Sequence, residues 1–252
     1  MNTGRYAAMS LLVLMGMNGT ANERPLFVES VGQFFESNDV PPNPWEVVRF
    51  DEDIPATVYR IVEWDGVMGI EAKADDSMAL LARPLAIDLQ RTPVLCWQWR
   101  VDGPLETADM NEKSGDDYAA RLYVAFDLPD EDLGWRLRWK LKLARSLFGD
   151  HVPEAAVNYV WDNRNPIGTT QANAYTDRAQ MMVLQTGAEQ AGRWVRERRN
   201  VLDDVVQAFG DGQYGPVSIA VASDTDNTGE SAWAGFADIH FVPATAQCQW
   251  GE

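Results

Sequence analysis

Histidine and cysteine are scarce in this chain, and their scarcity excludes several classes of site. The 252 residues include two His and two Cys. Zinc sites need clusters of these side chains, and the sequence has no such cluster. It also lacks a Gly-x-Ser-x-Gly nucleophile motif and the glycine-rich phosphate-binding motifs. The sequence therefore predicts neither a serine hydrolase, nor a zinc enzyme, nor a nucleotide-binding protein.

Basic residues are also few relative to acidic ones. Lys and Arg total 21 against 38 Asp and Glu, which gives a formal net charge of −17. A chain this acidic repels phosphate backbones, so nucleic acid is not an expected partner. The acidity suits solubility, cation binding or a salty habitat.

Long apolar runs are absent except near the N-terminus. There, the run 7–15 follows a single charged residue, Arg5, and precedes the small residues of Gly19-Thr20-Ala21. This is the pattern of a signal peptide. The run is shorter than the roughly 20 residues of a membrane span, although an uncleaved N-terminal anchor is the alternative. We expect a signal peptide over 1–21, a mature protein in the periplasm or secreted, and no transmembrane span after cleavage.

The rest of the chain is dominated by short segments with strand character, separated by turns rich in Gly, Pro and Asp. This spacing predicts an all-β fold, a β-sandwich or jelly roll of the galactose-binding-like type, with one or two short helices. In segment 95–101, alternation places Trp97 and Trp99 on one face of a half-buried strand. The predicted strands are 46–50, 57–64, 67–72, 78–83, 95–101, 119–126, 157–161, 181–185, 217–222 and 233–241.

Two local motifs are specific enough to predict geometry. The Asp65-Gly66 pair between two strands is typical of a two-residue hairpin turn. Segment 201–209 has apolar residues spaced by four, which predicts a helix with Asn200 as its N-cap and Gly210 as its stop.

No repeat or low-complexity linker divides the chain. We predict an N-terminal segment over 22–44, a single β-sandwich domain over 45–243 and a C-terminal tail over 244–252. Cys96 lies in a strand-like run and Cys248 in the tail. Export permits a disulfide between them, but two cysteines do not define a framework, and we interpret Cys96 as a buried free thiol.

Within segment 133–148, residues 135–143 alternate between apolar and basic side chains. The alternation favours a strand, whereas the Leu, Lys and Arg composition favours a helix. The cations could pair with nearby acids, or the segment could contact anionic lipid or polysaccharide as a peripheral docking patch. The residues of this patch are Trp135, Arg136, Arg138, Trp139, Lys140 and Lys142.

The acidic loop 223–230 is a candidate metal site. Hard cations such as calcium bind several oxygen ligands, and Asp224, Asp226 and Asn227 offer oxygens at short range. The alternative is a solvated turn that uses Asp and Asn for local capping.

A second charged group precedes and enters the strand at 119–126. Strand alternation places Asp117 and Arg121 on one face, where a carboxylate and a guanidinium can form a directional pair that holds a polar ligand. Asp116 or Asp117 could instead act as a general acid or base near Lys113. The simplest alternative is a structural ion pair at the rim of a sheet.

Five blocks of the sequence resemble, in order, the signatures of a bacterial family known as domain of unknown function 3047. The resemblance covers residues 45 to 242, and Ala174 stands where the family usually has Pro. It implies an exported β-sandwich protein and brings no established activity. The blocks are Trp97-Gln98-Trp99-Arg100-Val101, 113–124, Tyr159-Val160-Trp161, Asn173-Ala174-Tyr175-Thr176-Asp177-Arg178 and 224–229.

These observations support three hypotheses about function. The first is an exported, non-catalytic binding protein of the cell envelope that recognises a glycan or another polar polymer. The second is a carboxylate-dependent polysaccharide hydrolase or lyase, and the third is a membrane- or partner-docking protein. The candidate ligand-binding residues are Lys113, Asp116, Asp117, Arg121, Asn173 and Arg178, drawn from distant parts of the chain.

Exposed tryptophans would matter for sugar binding, because sugar rings pack on aromatic faces. We expect Trp97, Trp99, Trp161 and Trp233 in the core because they lie in predicted strands. We expect surface positions for Trp45, Trp135, Trp139 and Trp194.

Overall fold

The computed structural model describes residues 28–127 and 155–251, and the elements below are those of this part of the chain. It contains thirteen strands, one α-helix and a short 3₁₀ turn at Lys113–Gly115. The strands are β1 (Glu29–Gly32), β2 (Glu46–Val48), β3 (Val58–Trp64), β4 (Val67–Asp75), β5 (Leu80–Pro84), β6 (Val94–Val101), β7 (Tyr118–Asp127), β8 (Ala155–Asp162), β9 (Thr170–Asn173), β10 (Thr176–Thr186), β11 (Val195–Asn200), β12 (Gly215–Asp224) and β13 (Ser231–Val242), and the helix is α1 (Val201–Phe209).

The strands form two sheets, which confirms the predicted β-sandwich. One sheet has the order β11-β6-β13-β4-β3, with β1 also paired to β13. The other has the order β2-β5-β12-β7-β8-β10-β9. Neighbouring strands are antiparallel except β8 and β10, which are parallel. We call these the six-stranded and the seven-stranded sheet.

The core lies between the sheets and is built on aromatic residues that alternate along β6 and β8. The rings of Trp97 and Tyr159 have centroids 5.2 Å apart, and those of Trp99 and Trp161 are 5.9 Å apart. The prediction that 95–101 is half-buried was wrong, because every residue of β6 is buried. Neighbouring strands enclose β6 on both sides, and the C-terminal tail covers part of its outer face.

The tail is fixed by a disulfide between Cys96 and Cys248. The interpretation of Cys96 as a free thiol was therefore wrong. The tail folds back over the outer face of the six-stranded sheet, where the backbone N–H of Gln249 donates to His240 Nε2 at 2.9 Å. The backbone N–H of Gly251 donates to Asp238 Oδ2 at 2.9 Å. This return places two cysteines that are 152 residues apart in contact.

The two motifs with local signals adopt the expected geometry. Asp65 and Gly66 join β3 to β4 with φ angles of 54° and 78°, as a two-residue hairpin turn requires. Asn200 Oδ1 accepts a hydrogen bond from the N–H of Asp203, which caps α1, and Gly210 ends the helix. The strands β9 and β11 were not predicted, because their sequences Thr-Gln-Ala-Asn and Val-Arg-Glu-Arg-Arg-Asn are mostly polar and lie at sheet edges.

Two predicted segments lie outside the described residues. They are the signal peptide over 1–21 and the basic segment 133–148 with its docking patch. Within the described ranges, no helix is long and apolar enough to span a bilayer.

Candidate functional site

A polar cluster lies on the outer face of the seven-stranded sheet, centred on β7. Side chains alternate along a strand, so Leu122 and Val124 point into the core while Arg121 points outward. Arg121 pairs in register with Ala222 of β12 and Val160 of β8, so it lies in the middle of the sheet. We call this group the Arg121 cluster; it consists of Arg121, Asp116, Asp117, Asp224 and Asp226.

The guanidinium of Arg121 is held by two acidic residues. Its Nε donates to Asp224 Oδ1 at 2.7 Å, and its Nη2 contacts the second oxygen of the same carboxylate. Nη2 also donates to the carbonyl oxygen of Asp116 at 3.1 Å, while Nη1 lies 3.8 Å from Asp116 Oδ2. Arg121, Asp116 and Asp224 are all buried. The pair between Arg121 and Asp224 joins β7 to β12 and is the side-on arrangement that arginine and carboxylate favour.

Asp117 was predicted to pair with Arg121, but its carboxylate binds the acidic loop instead. Its Oδ2 accepts hydrogen bonds from the N–H of Asn227, the N–H of Thr228 and the hydroxyl of Thr228, at 3.0, 2.7 and 2.8 Å. Its Oδ1 accepts from Asn227 Nδ2 at 2.9 Å. A carboxylate has about four lone-pair positions, so Asp117 is saturated. It anchors loop 225–228 against the start of β7.

The turn between β9 and β10 supplies the rim of the cluster. Asn173 Nδ2 donates to Asp116 Oδ2 at 2.7 Å. The hydroxyl of Tyr175 lies 2.9 Å from both the carbonyl oxygen of Lys113 and Asn227 Oδ1. The ammonium of Lys113 lies 5.3 Å from the centre of the Tyr175 ring. Five of the six candidate ligand-binding residues are therefore gathered at one place.

Arg178 is the sixth, and the structure does not bring its side chain to the others. Its backbone N–H donates to Thr176 Oγ1 at 3.1 Å. Across the described ranges, no hydrogen bond or ion pair joins its guanidinium to the Arg121 cluster. Arg178 lies in the part of β10 where the register with β9 shifts, between Thr176 and Gln180.

Several buried polar atoms around Arg121 have no hydrogen-bond partner among the residues that the structure describes. They are Asp116 Oδ1, Tyr118 OH, Asn158 Oδ1 and Asp226 Oδ1. Asp116, Tyr118 and Asn158 are only 6%, 3% and 1% exposed. Buried polar groups in proteins are nearly always paired, and an unpaired one costs about 1–3 kcal/mol. These four atoms are therefore the unpaired oxygens of the site, and we call them the open oxygens.

The cluster carries more negative than positive charge. Four carboxyl groups surround one guanidinium, and carboxylate oxygens of Asp117, Asp224 and Asp226 lie within 4.8 Å of one another. Burial raises the pKa of Asp226, and the neighbouring Asp117 raises it further. Burial also raises the pKa of Tyr123, the next outward residue of β7, to about 12. The site therefore disfavours additional negative charge.

Sequence reasoning missed Tyr118, Tyr123, Asn158 and Tyr175. Asn158 carried a usable signal, since it is a polar residue within an otherwise apolar predicted strand. Strand alternation also places Tyr123 on the face of Arg121, although it was not named as a site residue. Tyr118 carried no signal, because a tyrosine in a strand is typical of cores and surfaces alike.

Residues 43–240 match the sequence model of a family described as "Protein of unknown function (DUF3047)". The chain belongs to this family. The match confirms the resemblance inferred from the five blocks, and the DUF3047 region contains the whole Arg121 cluster.

Other comparisons add little. No curated protein sequence matches the chain. Among solved structures, the chain is similar to the xyloglucanase domain of NopAA, a type three effector from Sinorhizobium fredii, in complex with cellobiose. The similarity covers 81% of this chain and 100% of that chain, at 11% identity and a TM-score of 0.33. We draw no functional conclusion from so distant a similarity.

Two expectations about tryptophans in this DUF3047 chain were wrong. Trp45 was expected at the surface but is buried in the core, where it packs under Arg83. Trp233 was expected in the core but is 37% exposed. It lies near the start of β13 with its side chain on the outer face, and its Nε1 donates to Glu71 Oε2 at 2.9 Å. Strand membership alone does not say which face a side chain occupies.

Trp233 belongs to a stack on the outer face of the six-stranded sheet. The guanidinium of Arg100 lies 3.8 Å from the Trp64 ring, and Trp64 lies 4.7 Å from Trp233. The ammonium of Lys73 lies 4.1 Å from the Trp233 ring. Trp194, which is half-buried, donates from Nε1 to the carbonyl oxygen of Trp64. Cations and neighbouring rings thus occupy the aromatic faces, so the stack is a packing feature rather than an open platform.

Proposed function

We propose that this protein is an exported, non-catalytic binding protein of the cell envelope that holds a glycan or a similar polyhydroxylated polymer at the Arg121 cluster. The observation that carries the proposal is the set of buried oxygens that find no partner in the described part of the chain, namely those of Asp116, Tyr118 and Asn158. Sugar hydroxyls both donate and accept hydrogen bonds, so they can pair with carboxylate, phenol and amide oxygens alike. Several polar groups converging on one place are typical of a ligand site.

Binding without catalysis is favoured by how the carboxylates are used. Asp117 accepts four hydrogen bonds, and Asp224 is held on both oxygens by Arg121. Neither is free to transfer a proton or attack a substrate. These residues build the walls of the site, and the open oxygens are left to recognise the ligand.

The binding test is affinity electrophoresis of the mature protein through gels that contain envelope or plant polysaccharides. We expect at least one polysaccharide to retard the protein and Tyr118→Phe to reduce the retardation. Tyr159→Phe is the matched control, because that buried hydroxyl bonds Asp204 on the core side of β8. Retardation by none of the polysaccharides, or equal loss in both variants, contradicts the proposal.

A carboxylate-dependent hydrolase or lyase is the second candidate, and the raised pKa of Asp226 favours it. A raised pKa makes a carboxyl group hold its proton more tightly, as a general acid requires. Asp226→Asn separates the two functions. An enzyme loses turnover while still binding its substrate, whereas a binding protein releases no reducing ends or unsaturated sugars in either form.

A bound cation is the other candidate occupant, and the three carboxylates within 4.8 Å favour it. The ligands would be Asp224, Asp226 and Asn227, as the sequence predicts for calcium. Of these, Asp224 and Asn227 already have oxygens engaged by Arg121 and Tyr175. Calcium at 100 times its dissociation constant stabilises a protein by roughly 2.7 kcal/mol. An unchanged melting temperature in millimolar calcium, for wild type and Asp226→Ala alike, would reduce the loop to a turn.

Export and membrane contact are tested separately. Fractionation of cells that make the full chain is expected to place a shorter form in the periplasm or the medium. Full-length protein in the cytoplasm contradicts export.

Contact with lipid through the docking patch predicts that the protein sediments with anionic vesicles. This sedimentation is expected to be lost when the basic residues of the patch are replaced by Gln.

A further inference from the structure

We propose that the ligand of the Arg121 cluster carries a protonated amino group, which makes it a glycan with unacetylated amino sugars. This inference rests on the proposed function and specifies the class of glycan. It follows from the charge of the cluster, from the kind of atoms left open and from their number.

The charge of the cluster is the first step. Asp116, Asp117, Asp224 and Asp226 face a single guanidinium in a largely buried environment. Lys113 does not offset them, since its ammonium lies over the Tyr175 ring and forms no ion pair with these acids in the described part of the chain. Burial strengthens electrostatic interactions, so a ligand that brings positive charge is favoured over a neutral one. An acidic glycan is repelled.

The open atoms are the second step. As carboxylates, Asp116 and Asp226 can only accept hydrogen bonds at these atoms, as can the amide oxygen of Asn158, and the Tyr118 hydroxyl can also accept. Each of these four atoms in the described part of the chain can therefore accept a hydrogen bond from a ligand. A ligand with several donors on one atom matches this set, and an ammonium group has three N–H donors and no acceptor.

The number of open oxygens is the third step, because it separates an ammonium from a metal ion. Four open oxygens are sufficient for the donors of an ammonium group. Calcium takes about six to eight oxygens, and Asp117 and Asp224 would have to give up existing bonds to supply more.

The rim of the cluster provides a place for the sugar that carries the group. Tyr175 is 54% exposed, and its hydroxyl is fixed between Lys113 and Asn227. Asp226, which is half-buried, precedes Asn227 directly in the chain, and Asn227 Oδ1 lies 2.9 Å from the Tyr175 hydroxyl. An aromatic ring attracts a cation within about 6 Å and also offers an apolar face to a sugar ring. The exposed rim of the cluster therefore includes an aromatic surface.

Isothermal titration calorimetry of the mature protein tests the inference with three β-1,4-linked oligosaccharides of equal length. They are built from glucosamine, N-acetylglucosamine and glucose. We expect the glucosamine oligomer to bind at least about tenfold more tightly than the other two, the effect of one charge-assisted hydrogen bond. Its advantage is expected to shrink as salt concentration rises, because salt screens the charge at the rim.

Two isosteric variants test the residues, Asp116→Asn and Asp226→Asn. Each keeps the size of the side chain and removes one negative charge, so each is expected to reduce the preference for glucosamine at least about fivefold. Asp39→Asn is the matched control. Asp39 is exposed beside the six-stranded sheet, and its replacement changes the net charge by the same amount. Thermal melting checks that every variant is folded.

The outcomes separate the inference from the function on which it rests. Equal binding of the glucose and glucosamine oligomers overturns the amino-sugar inference and leaves glycan binding intact. Binding of none of the three, together with no retardation by any polysaccharide, overturns both. Loss of glucosamine binding in millimolar calcium, with a raised melting temperature, shows that a metal ion occupies the site and overturns the inference. Unchanged preference in both Asn variants also overturns it.

Discussion

The hydroxyl of Tyr118 provides the sharpest test of whether the Arg121 cluster is built for a ligand. The residue is 3% exposed, and within residues 28–127 and 155–251 its hydroxyl has no hydrogen-bond partner. The ring itself is well packed, with Met110 and Met181 in the same buried group and the Arg121 guanidinium 4.9 Å from the ring centre. Tyr118→Phe therefore removes one unsatisfied oxygen and retains the packing.

The expected effect on stability is a gain. An unsatisfied buried hydroxyl costs about 1–3 kcal/mol, so its removal returns that free energy, less the small van der Waals attraction of a single oxygen atom. We expect the free energy of unfolding of the ligand-free protein to rise by about 1 kcal/mol, which for a domain of this size raises the melting temperature by roughly 2–4 °C. Ligand affinity is expected to fall in the same variant, because the ligand then has one hydrogen-bond partner fewer.

Tyr159→Phe is the control, because it makes the same chemical change at a buried hydroxyl that does have a hydrogen-bond partner. The Tyr159 hydroxyl donates to Asp204 Oδ2 at 2.7 Å in the core. Loss of a bond to a charged partner costs about 1.5–3 kcal/mol. Urea unfolding followed by tryptophan fluorescence measures both variants at constant m-value. Equal destabilisation by the two substitutions would show that the Tyr118 hydroxyl is structurally satisfied and would refute the reasoning.

Three further predictions concern stability. Replacing Cys96 and Cys248 together by Ala is expected to lower the unfolding free energy by about 2–4 kcal/mol and to open the tail to proteolysis; an unchanged urea midpoint contradicts this. Burial lowers the pKa of His240 from 6.5, so the unfolded chain binds the proton more readily. Stability is therefore expected to fall as pH drops below about 6.5, and His240→Gln should flatten that part of the pH profile. Gly235→Ala places a Cβ 2.7 Å from a carbon of the Trp194 indole and is expected to lower the free energy of unfolding by about 1–3 kcal/mol. Gly103→Ala is the control, because the space around Gly103 is open, and in the same urea titration its loss should be less than half as large.

Features that depend on neighbours in the sequence were predictable. The Asp65-Gly66 turn was identified because few residues tolerate the positive φ of both its positions. Helix α1 was identified because its apolar spacing, its cap and its stop all agree. The alternation of most strands follows from a period of two, which any half-buried strand imposes. These signals were sufficient for the two-sheet fold class and for the family, whose blocks retain their order along the chain.

Edge strands and the facing of side chains were less predictable. The strands β9 and β11 are polar and lie at sheet margins, where burial imposes little pattern on the sequence. Trp45 and Trp233 were assigned to the wrong environments, because the side of the sheet on which a residue falls depends on register and on what packs above it.

By itself, the sequence determined that Arg121 lies on a strand and that two acids, Asp116 and Asp117, closely precede it in the chain. Only the tertiary structure decided which acid holds which group. Arg121 binds Asp224, which is 103 residues away, while the sequence neighbour Asp117 holds loop residues that are 110 and 111 positions away. The disulfide joins residues separated by 152 positions. Such pairings follow from the order of strands across a sheet, and that order is set by the packing of the whole core rather than by any local pattern.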